Sequence, residues 1–196
     1  MYLRFGKRIG DAVAAEMGLI LLLPVLLGVA IFLLIHHGRP LFYSQGRIGR
    51  DGRCFSIVKF RTMQAGCDDR STITVSGDAR ITPAGGVLRR WKLDEIPQLW
   101  NVLKGEMSLV GPRPDVSGYY DRLQGPDRRV LFLRPGITGP ASLKYVDEEA
   151  ILARQVDPLR YNDEIIFPDK VRINLDYLDE CSFRLDLRYL RMTLLG

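Results

Sequence analysis

Residues 17–35 read MGLILLLPVLLGVAIFLLI, a run of 19 residues without a charged side chain. As a straight α-helix this run would be roughly 28 Å long, close to the ~30 Å hydrocarbon thickness of a bilayer. A helix of a soluble core would show polar residues on one face, and this run shows none. It is also longer than the apolar region of a cleavable signal peptide, about 7–15 residues, and no small-x-small site follows it. The run is therefore predicted to lie in lipid.

Pro24 interrupts this apolar run and leaves its path open. Proline lacks an N–H and clashes with the preceding turn, so it kinks or breaks a helix. Basic residues lie on both flanks, at Arg4, Lys7 and Arg8 before the run and at Arg39, Arg47, Arg50 and Arg53 after it. The positive-inside rule therefore selects no orientation. The residues allow either a single kinked span or a hairpin that turns at Pro24 and returns to the same side.

The composition indicates one compact domain and excludes several chemistries. With 196 residues, of which 46% are hydrophobic, the chain can bury a core and is not disordered. A Ser-His-Asp or Cys-His mechanism would depend on the only two histidines, His36 and His37. The odd, widely spaced Cys54, Cys67 and Cys181 argue against a disulfide scaffold and a structural zinc site. Any metal should then be held by carboxylates and phosphate oxygens, as Mg²⁺ is.

The positive charge is concentrated in the middle of the chain. The formal net charge is +5, made up of +1 over residues 1–35, +8 over 36–144 and −4 over 145–196. Such a basic segment attracts anions, namely substrate phosphates, anionic lipid or nucleic acid. A solvated basic face would have the same composition, so the charge alone does not decide between them.

The first part of the polar region is predicted to be a β-hairpin. Residues 41–43 and 54–61 have strand character, and Asp51-Gly52 between them has the chemistry of a tight turn. Strand alternation places Lys59 and Arg61 on one face, where they could contact a phosphate. Exposed charges on a strand also serve solubility alone, so this signal is weak by itself. Residues 66–82 are predicted to be a polar loop.

Two acidic residues lie at a predicted helix start. One helix is predicted over 83–92, and a second from near Asp94 to Gly105, with Pro97 in its first turn. Asp94 and Glu95 could simply cap the helix. The basic residues just before them, Arg89, Arg90 and Lys92, could instead keep a carboxylate ionised next to a phosphate. Because consecutive side chains point in different directions, a glycosidase pair is disfavoured.

Three further segments have recognisable patterns. Arg113 lies between Pro112 and Pro114, which suits a stiff phosphate contact or a rigid surface loop. Pro135-Gly136 has the order of a type II turn. The acidic C-terminal part carries an apolar stripe that packs on a core or lies on a membrane surface. The stripe comprises Leu175, Leu178, Phe183, Leu187, Leu190 and Leu194.

Taken together, these motifs resemble the bacterial sugar transferases, the monotopic phosphoglycosyl transferases. The resemblance rests on KFRTM at 59–63, LDEIPQLWNVLKGEMS at 93–108, VGPRP at 110–114 and RPGITG at 134–139, in this order. It covers nearly the whole chain, and the apolar run is at the place expected for the family. The stretch from 93 to 114 is too long and specific for chance agreement.

The resemblance implies a fold and a reaction. The fold is a compact mixed α/β domain with a small β-hairpin and several helices, at residues 39–196. It follows a re-entrant membrane helix broken at Pro24, at residues 1–38. The enzyme would transfer a phosphosugar from a UDP-sugar to undecaprenyl phosphate, in ping-pong fashion through an aspartyl-phosphosugar, and release UMP. It would act on the cytoplasmic face of the bacterial inner membrane, in contact with membrane lipids.

The resemblance also assigns roles to residues. Asp94 would be the nucleophile and would help to hold Mg²⁺, while Glu95 would assist the acceptor or the leaving group. Contacts to substrate phosphates are expected from Lys59, Arg61, Arg89 and Arg113. After Gly139 the chain departs from many small members, with Pro140-Ala141-Ser142 and an inserted region at 157–161. These departures indicate a different branch and leave the sugar undetermined.

Two other classes of function compete with the enzyme. A membrane-anchored anion-binding protein would use the same basic segment, but Asp94 would be dispensable in it. A nucleic-acid-binding protein would interleave aromatic and basic residues on one surface. Here Trp91 and Trp100 flank the acidic pair instead, and a lipid-embedded segment does not suit that function. Nucleic acid is therefore not expected as a partner.

Overall fold

The computed structural model of the chain describes residues 2–64 and 78–195. It confirms a mixed domain of helices and two small sheets that follows an N-terminal bent helix pair. Most of the predicted polar loop at 66–82 lies outside the described residues.

The apolar run forms two helices rather than one. After a π-helical turn at Tyr2–Gly6, α1 spans Lys7–Leu21 and α2 spans Leu23–His37, bent by 59° from each other. Pro24 lies in the first turn of α2, where its missing N–H costs no hydrogen bond. The break between the two helices therefore falls at Leu22, directly before α2 begins. Among the described residues no single helix has both the length and the hydropathy of a membrane span, but this pair has them jointly. Both helices expose apolar side chains, among them Ile9, Val13, Met17, Ile20, Leu27, Ile31 and Ile35.

The predicted hairpin is present and longer than expected. Strands β1 (Phe42–Ile48) and β2 (Cys54–Phe60) pair antiparallel, from Phe42 opposite Phe60 to Ile48 opposite Cys54. Asp51 and Gly52 have positive φ angles of 57° and 76° in the connecting turn, as the Asp-Gly pair predicts. On β2, Ile57 packs in a cluster with Ala15 of α1, and Phe60 packs in one with Val29 and Leu33 of α2. The hairpin is thus held against α1 and α2, the two membrane-type helices formed by residues 7–37.

The segment after the undescribed residues positions the acidic pair. Helix α3 spans Pro83–Arg90, and Leu93–Glu95 forms a separate 3₁₀ turn before α4 (Gln98–Lys104). The second predicted helix therefore starts later than expected, after Pro97, and ends as predicted at Gly105 with a φ of 86°. The 3₁₀ turn separates Asp94 and Glu95 from the helix itself.

A second, parallel sheet corrects one prediction. Strand β3 (Ser108–Val110) pairs with β4 (Gly136–Thr138). Pro135-Gly136 therefore does not form a type II turn, because Gly136 is extended and its N–H donates to the carbonyl of Pro112 at 2.7 Å. A Cβ on Gly136 would overlap the backbone of Gly111, so glycine is needed here for close approach of two chains rather than for a positive φ.

The C-terminal part is helical, with α5 (Pro140–Lys144), α6 (Glu148–Ala153), α7 (Pro158–Tyr161), α8 (Phe167–Glu180) and α9 (Phe183–Leu195). Short 3₁₀ segments at Tyr120–Arg122 and Gly125–Phe132 precede them. The predicted apolar stripe is divided. Leu175, Leu178 and Leu190 pack against core clusters, whereas Phe183, Leu187 and Leu194 are exposed. Packing on a core is therefore confirmed for only half of the stripe.

Candidate active site

Glu95 is held by two cations from different parts of the chain. Its Oε1 accepts from Nζ of Lys59 at 3.0 Å and from Nη2 of Arg113 at 2.7 Å. Burial alone would raise the pKa of Glu95, but the charges of Arg113 and Lys59 and their hydrogen bonds lower it well below the usual range. Glu95 is therefore ionised at neutral pH and fixes the direction of both cations.

Asp94 differs from Glu95 in its contacts and in the direction of its pKa shift. Its side chain is buried, and within the described part of the chain it makes no hydrogen bond or ion pair with another side chain. Burial raises the pKa of Asp94, and the adjacent charge of Glu95 raises it further, against the opposing charges of Lys59 and Arg89. A buried carboxylate with a raised pKa is costly to the fold and typical of a reactive group.

Arg89 approaches the pair from α3. Its Nε donates to Oγ1 of Thr62 at 3.2 Å, and its Nη1 lies 3.5 Å from Oε1 of Glu149. That Nη1 is buried and makes no hydrogen bond within the part of the chain that the structure describes. The position depends on Gly85, because a Cβ there would overlap the backbone of Thr62. Arg89 thus brings a positive charge close enough to act on Asp94, while its Nη1 pairs with Glu149.

Arg61 points away from the acidic pair. It is 8% exposed, and its Nη2 lies 2.8 Å from the carbonyl oxygen of His37 and 3.2 Å from that of Gly38, at the C-terminal end of α2. There its charge complements the helix dipole and satisfies carbonyls that lack a partner. Lys59, Arg89 and Arg113 therefore lie near the acidic pair, whereas Arg61 binds the C-terminal end of α2. A phosphate contact from Arg61 stays a prediction.

The Pro112–Pro114 segment is held by the hairpin. Arg47 of β1 is in hydrogen-bond contact with the carbonyl of Pro114 at 3.4 Å, and the N–H of Ile48 donates to the carbonyl of Asp115 at 2.9 Å. In the sequence, Arg47 is notable only as one of the basic residues that follow the apolar run. Its support of the arginine-bearing segment depends on a contact across 67 positions, which no local pattern reveals.

Asn101 is a further residue that the motif analysis did not single out. It is fully buried, and its Nδ2 donates to the carbonyl of Ser56 at 2.8 Å and to Oε2 of Glu106 at 2.7 Å. Its Oδ1 accepts from the N–H of Val58 at 3.1 Å. Asn101 therefore ties α4 to β2, the strand that carries Lys59. A polar residue between the apolar Leu99, Val102 and Leu103 was the available signal.

The donor set around Asp94 suits one kind of metal. Within residues 2–64 and 78–195 there is no group of three or more His, Cys, Asp or Glu side chains that could hold an ion. Mg²⁺ is commonly bound through one or two carboxylates together with substrate phosphates. Glu95 is engaged by its two cations, whereas within residues 2–64 and 78–195 no other side chain donates to the carboxylate of Asp94. The residues fit a Mg²⁺ completed by phosphate oxygens, and they do not fit an all-protein site.

Such a site suits a protein that acts on phosphorylated molecules at a membrane. Comparison with known proteins specifies the class further. The family model described as "Bacterial sugar transferase" matches residues 2–196. The chain belongs to this family.

Curated relatives come from several bacteria. The chain is 34% identical over 197 residues to the UDP-glucose:undecaprenyl-phosphate glucose-1-phosphate transferase of Xanthomonas campestris pv. campestris. This alignment covers 98% of this chain and 38% of that protein. It is 37% identical over 146 residues to the UDP-N-acetylgalactosamine-undecaprenyl-phosphate N-acetylgalactosaminephosphotransferase of Aeromonas hydrophila, covering 71% of this chain and 34% of that one. With the uncharacterized sugar transferase EpsL of Bacillus subtilis it shares 33% over 187 residues, 95% of this chain and 84% of the relative. The chain thus spans about a third of the first two relatives.

Proposed function

We propose that the protein transfers a sugar 1-phosphate from a UDP-sugar to undecaprenyl phosphate, through a covalent aspartyl-phosphosugar on Asp94. The observation that carries this proposal is the contrast between the two neighbouring acids, one bound by Lys59 and Arg113 and the other buried without a side-chain partner among the described residues. The names of the Xanthomonas and Aeromonas relatives support the donor and the acceptor. Because these relatives differ in their sugar, they do not specify the sugar for this chain.

In the first step a carboxylate oxygen of Asp94 attacks the phosphorus that bears the sugar. The bond from that phosphorus to the bridging oxygen breaks, and UMP leaves with the electron pair. In the second step an oxygen of undecaprenyl phosphate attacks the same phosphorus, and the bond to Asp94 breaks. The product is the lipid diphosphate sugar, and the carboxylate is regenerated without a net proton transfer.

The surrounding residues suit this chemistry because phosphoryl transfer depends on positioning and on compensation of charge. The raised pKa of Asp94, caused by burial and by Glu95, makes it a more basic nucleophile than an ordinary aspartate. The guanidinium of Arg89, whose charge acts on Asp94, would compensate negative charge on the transferred phosphate. Glu95 would orient Lys59 and Arg113 towards the substrate or assist the leaving group.

A Mg²⁺ ion would be held by Asp94 together with phosphate oxygens of the substrate. When bound, it would neutralise negative charge on the diphosphate. Such a site would be completed only when the donor is present.

The bent pair α1–α2 is proposed to enter the membrane and return, so that residues 39–196 lie on the cytoplasmic face. The exposed apolar side chains of both helices and the basic residues on both flanks support this arrangement. A straight crossing would instead place the two flanks on opposite sides. Labelling of single cysteines at each flank in sealed vesicles distinguishes the two paths.

The proposal is tested with the purified full chain in lipid nanodiscs, undecaprenyl phosphate, Mg²⁺ and a panel of UDP-sugars. UMP release and intact-protein mass are measured for the wild type, for Asp94→Asn and for the control Asp51→Asn in the hairpin turn. We expect UMP release with one sugar, a phosphosugar adduct on the wild type and the control, and neither with Asp94→Asn. Turnover by Asp94→Asn equal to that of the wild type would contradict the role of Asp94 as nucleophile. If the folded wild type released no UMP with any sugar of the panel, the anion-binding class would be favoured.

A further inference from the structure

The first two turns of α1 carry three charged residues that each bind a different part of the domain. Nζ of Lys7 lies 2.5 Å from Oδ2 of Asp186 in α9, and both side chains are buried. Arg8 and Asp11 contact α4 and β3. These charges are therefore engaged within the protein, although they lie at the start of a membrane-type helix.

Arg8 binds the C-terminal end of α4. Its Nη1 donates to the carbonyl of Val102 at 2.8 Å and its Nη2 to that of Leu103 at 2.7 Å. These carbonyls lie in the last turn of α4, where that of Val102 also accepts from the N–H of Gly105 at 2.9 Å, and a cation there complements the helix dipole. A Cβ on Gly105 would lie 3.2 Å from the guanidinium, so the group is closely fitted to the helix end. Arg8 thereby fixes α4 against α1.

Asp11 binds the start of β3. Its Oδ2 accepts from Oγ of Ser108 at 2.7 Å, and its Oδ1 from the N–H of Leu109 at 3.3 Å. Ser108 is fully buried, and its own N–H donates to the carbonyl of Pro135 at 2.8 Å. From there β3 runs through Val110 into the segment that carries Arg113. Asp11 thereby fixes this strand against the same helix.

The two elements that Arg8 and Asp11 hold, α4 and β3, adjoin the residues Glu95 and Arg113. Glu95 lies just before α4, Arg113 lies just after β3, and the two side chains are 2.7 Å apart. Arg8 and Asp11 are three positions apart, so they lie on the same face of α1. We propose that Arg8 and Asp11 are positioning residues, through which the membrane-type helix α1 sets the alignment of Glu95 with Arg113. The kinetic part of this proposal rests on the proposed transferase activity.

Arg8→Lys is the informative change. Lysine keeps the positive charge beside the membrane, so any effect of that charge on insertion is retained. Its single ammonium cannot reproduce the planar fork that spans two successive carbonyls. Asp11→Asn keeps the shape of the side chain but removes its charge. The matched control is Arg128→Lys, because Arg128 also donates to two backbone carbonyls, those of Asp121 and Leu123, in a different part of the domain.

The expected kinetic result is a fall in kcat of about 10–100-fold for Arg8→Lys and Asp11→Asn, with KM for the UDP-sugar changed less than kcat. Arg128→Lys should retain the wild-type kcat. Residues that act through one contact are not additive. In an Arg113→Lys background, Arg8→Lys should therefore cost less than threefold further. An undiminished kcat in Arg8→Lys, or an equal loss in both backgrounds, would overturn the proposal.

Hydrogen exchange in nanodiscs gives a readout that does not need turnover. Arg8→Lys should speed exchange at residues 98–104, and Asp11→Asn at residues 108–113, at least about threefold relative to Arg128→Lys. Unchanged exchange at both segments would contradict the proposed contacts even if the protein transfers no sugar. Changed exchange in a protein inactive with every donor would instead contradict the proposed function alone.

Discussion

Oε1 of Glu95 accepts a hydrogen bond from Nη2 of Arg113 at 2.7 Å, across 18 positions of the chain. Lys59 donates to the same oxygen, so Glu95 is ionised and held by two cations, while no cation of the described residues binds its neighbour Asp94 in this way. The pKa values of the two adjacent acids consequently move in opposite directions. Such a separation is what allows two acids in one site to have different roles.

The first prediction concerns Asp94→Asn, which should lower UMP release by at least about 10³-fold. It should also raise Tm, by about 2–4 °C for each kcal/mol gained in a domain of this size. The folded pKa of Asp94 is raised, so its ionisation destabilises the fold increasingly from the ordinary value of 3.8 up to the folded pKa and by a constant amount above it. Asparagine carries no charge, and the penalty is absent. Thermal melts at pH 7.5 check this, and a lower Tm than that of the wild type would contradict it.

The second prediction concerns the pH dependence of adduct formation. The reaction needs ionised Asp94, so the single-turnover rate should fall on acidification with a midpoint above 3.8, because burial and Glu95 raise the pKa of Asp94. Glu95→Gln removes the neighbouring negative charge and should shift this midpoint to lower pH. The exposed Glu164→Gln serves as the control and should keep the wild-type midpoint. A Glu95→Gln profile that moves to higher pH is incompatible with the charge coupling described above.

The third prediction compares two adjacent glycines of α3. Gly85→Ala should displace α3 from Thr62, since a Cβ there would overlap the Thr62 backbone, and the displaced Arg89 should lower activity at least about tenfold. At Gly86 no atom lies within 4 Å of an added Cβ. Gly86→Ala should therefore stabilise the helix by about 0.5–1 kcal/mol. Activity assays and melts of both variants provide the comparison, and equal behaviour would refute it.

The fourth prediction concerns Asn101→Ala. The change removes the contacts of Asn101 with the N–H of Val58, the carbonyl of Ser56 and Oε2 of Glu106, whose Oε1 keeps its ion pair with Lys104. Loss of such a buried network should cost about 2–4 kcal/mol and lower Tm by about 5–15 °C. The exposed Gln124→Ala should melt like the wild type. A melt of Asn101→Ala that coincides with this control would show that the side chain does not tie α4 to β2.

Local patterns predicted much of the fold. The uncharged run at 17–35 predicted a membrane-type segment, and the helix pair formed from it has the length and hydropathy of one. Strand alternation and Asp51-Gly52 predicted the hairpin, and Gly105 predicted the end of α4. These features depend on residues within a few positions of each other, which is why the sequence alone contains them. The succession of motifs from 59 to 139 likewise indicated the family that the chain belongs to.

Other features depended on contacts between distant residues. The sequence placed Lys59 and Arg61 on one strand face, but only the tertiary structure directed Lys59 to Glu95 and Arg61 to the end of α2. The Pro-Gly pair at 135–136 had the local signature of a turn, yet the backbone of Gly111 packs against it and makes it a strand.

The contacts of α1 likewise join residues that are distant in the sequence. Arg8 and Asp11 reach residues more than 90 positions away, and nothing in the local pattern of α1 marks their partners. The sequence by itself determined which segments are apolar, which turn and which residues are available for chemistry. Only the tertiary structure decided which charges meet, because hydrogen bonds and ion pairs require atoms within about 3–4 Å and chain packing alone brings them there.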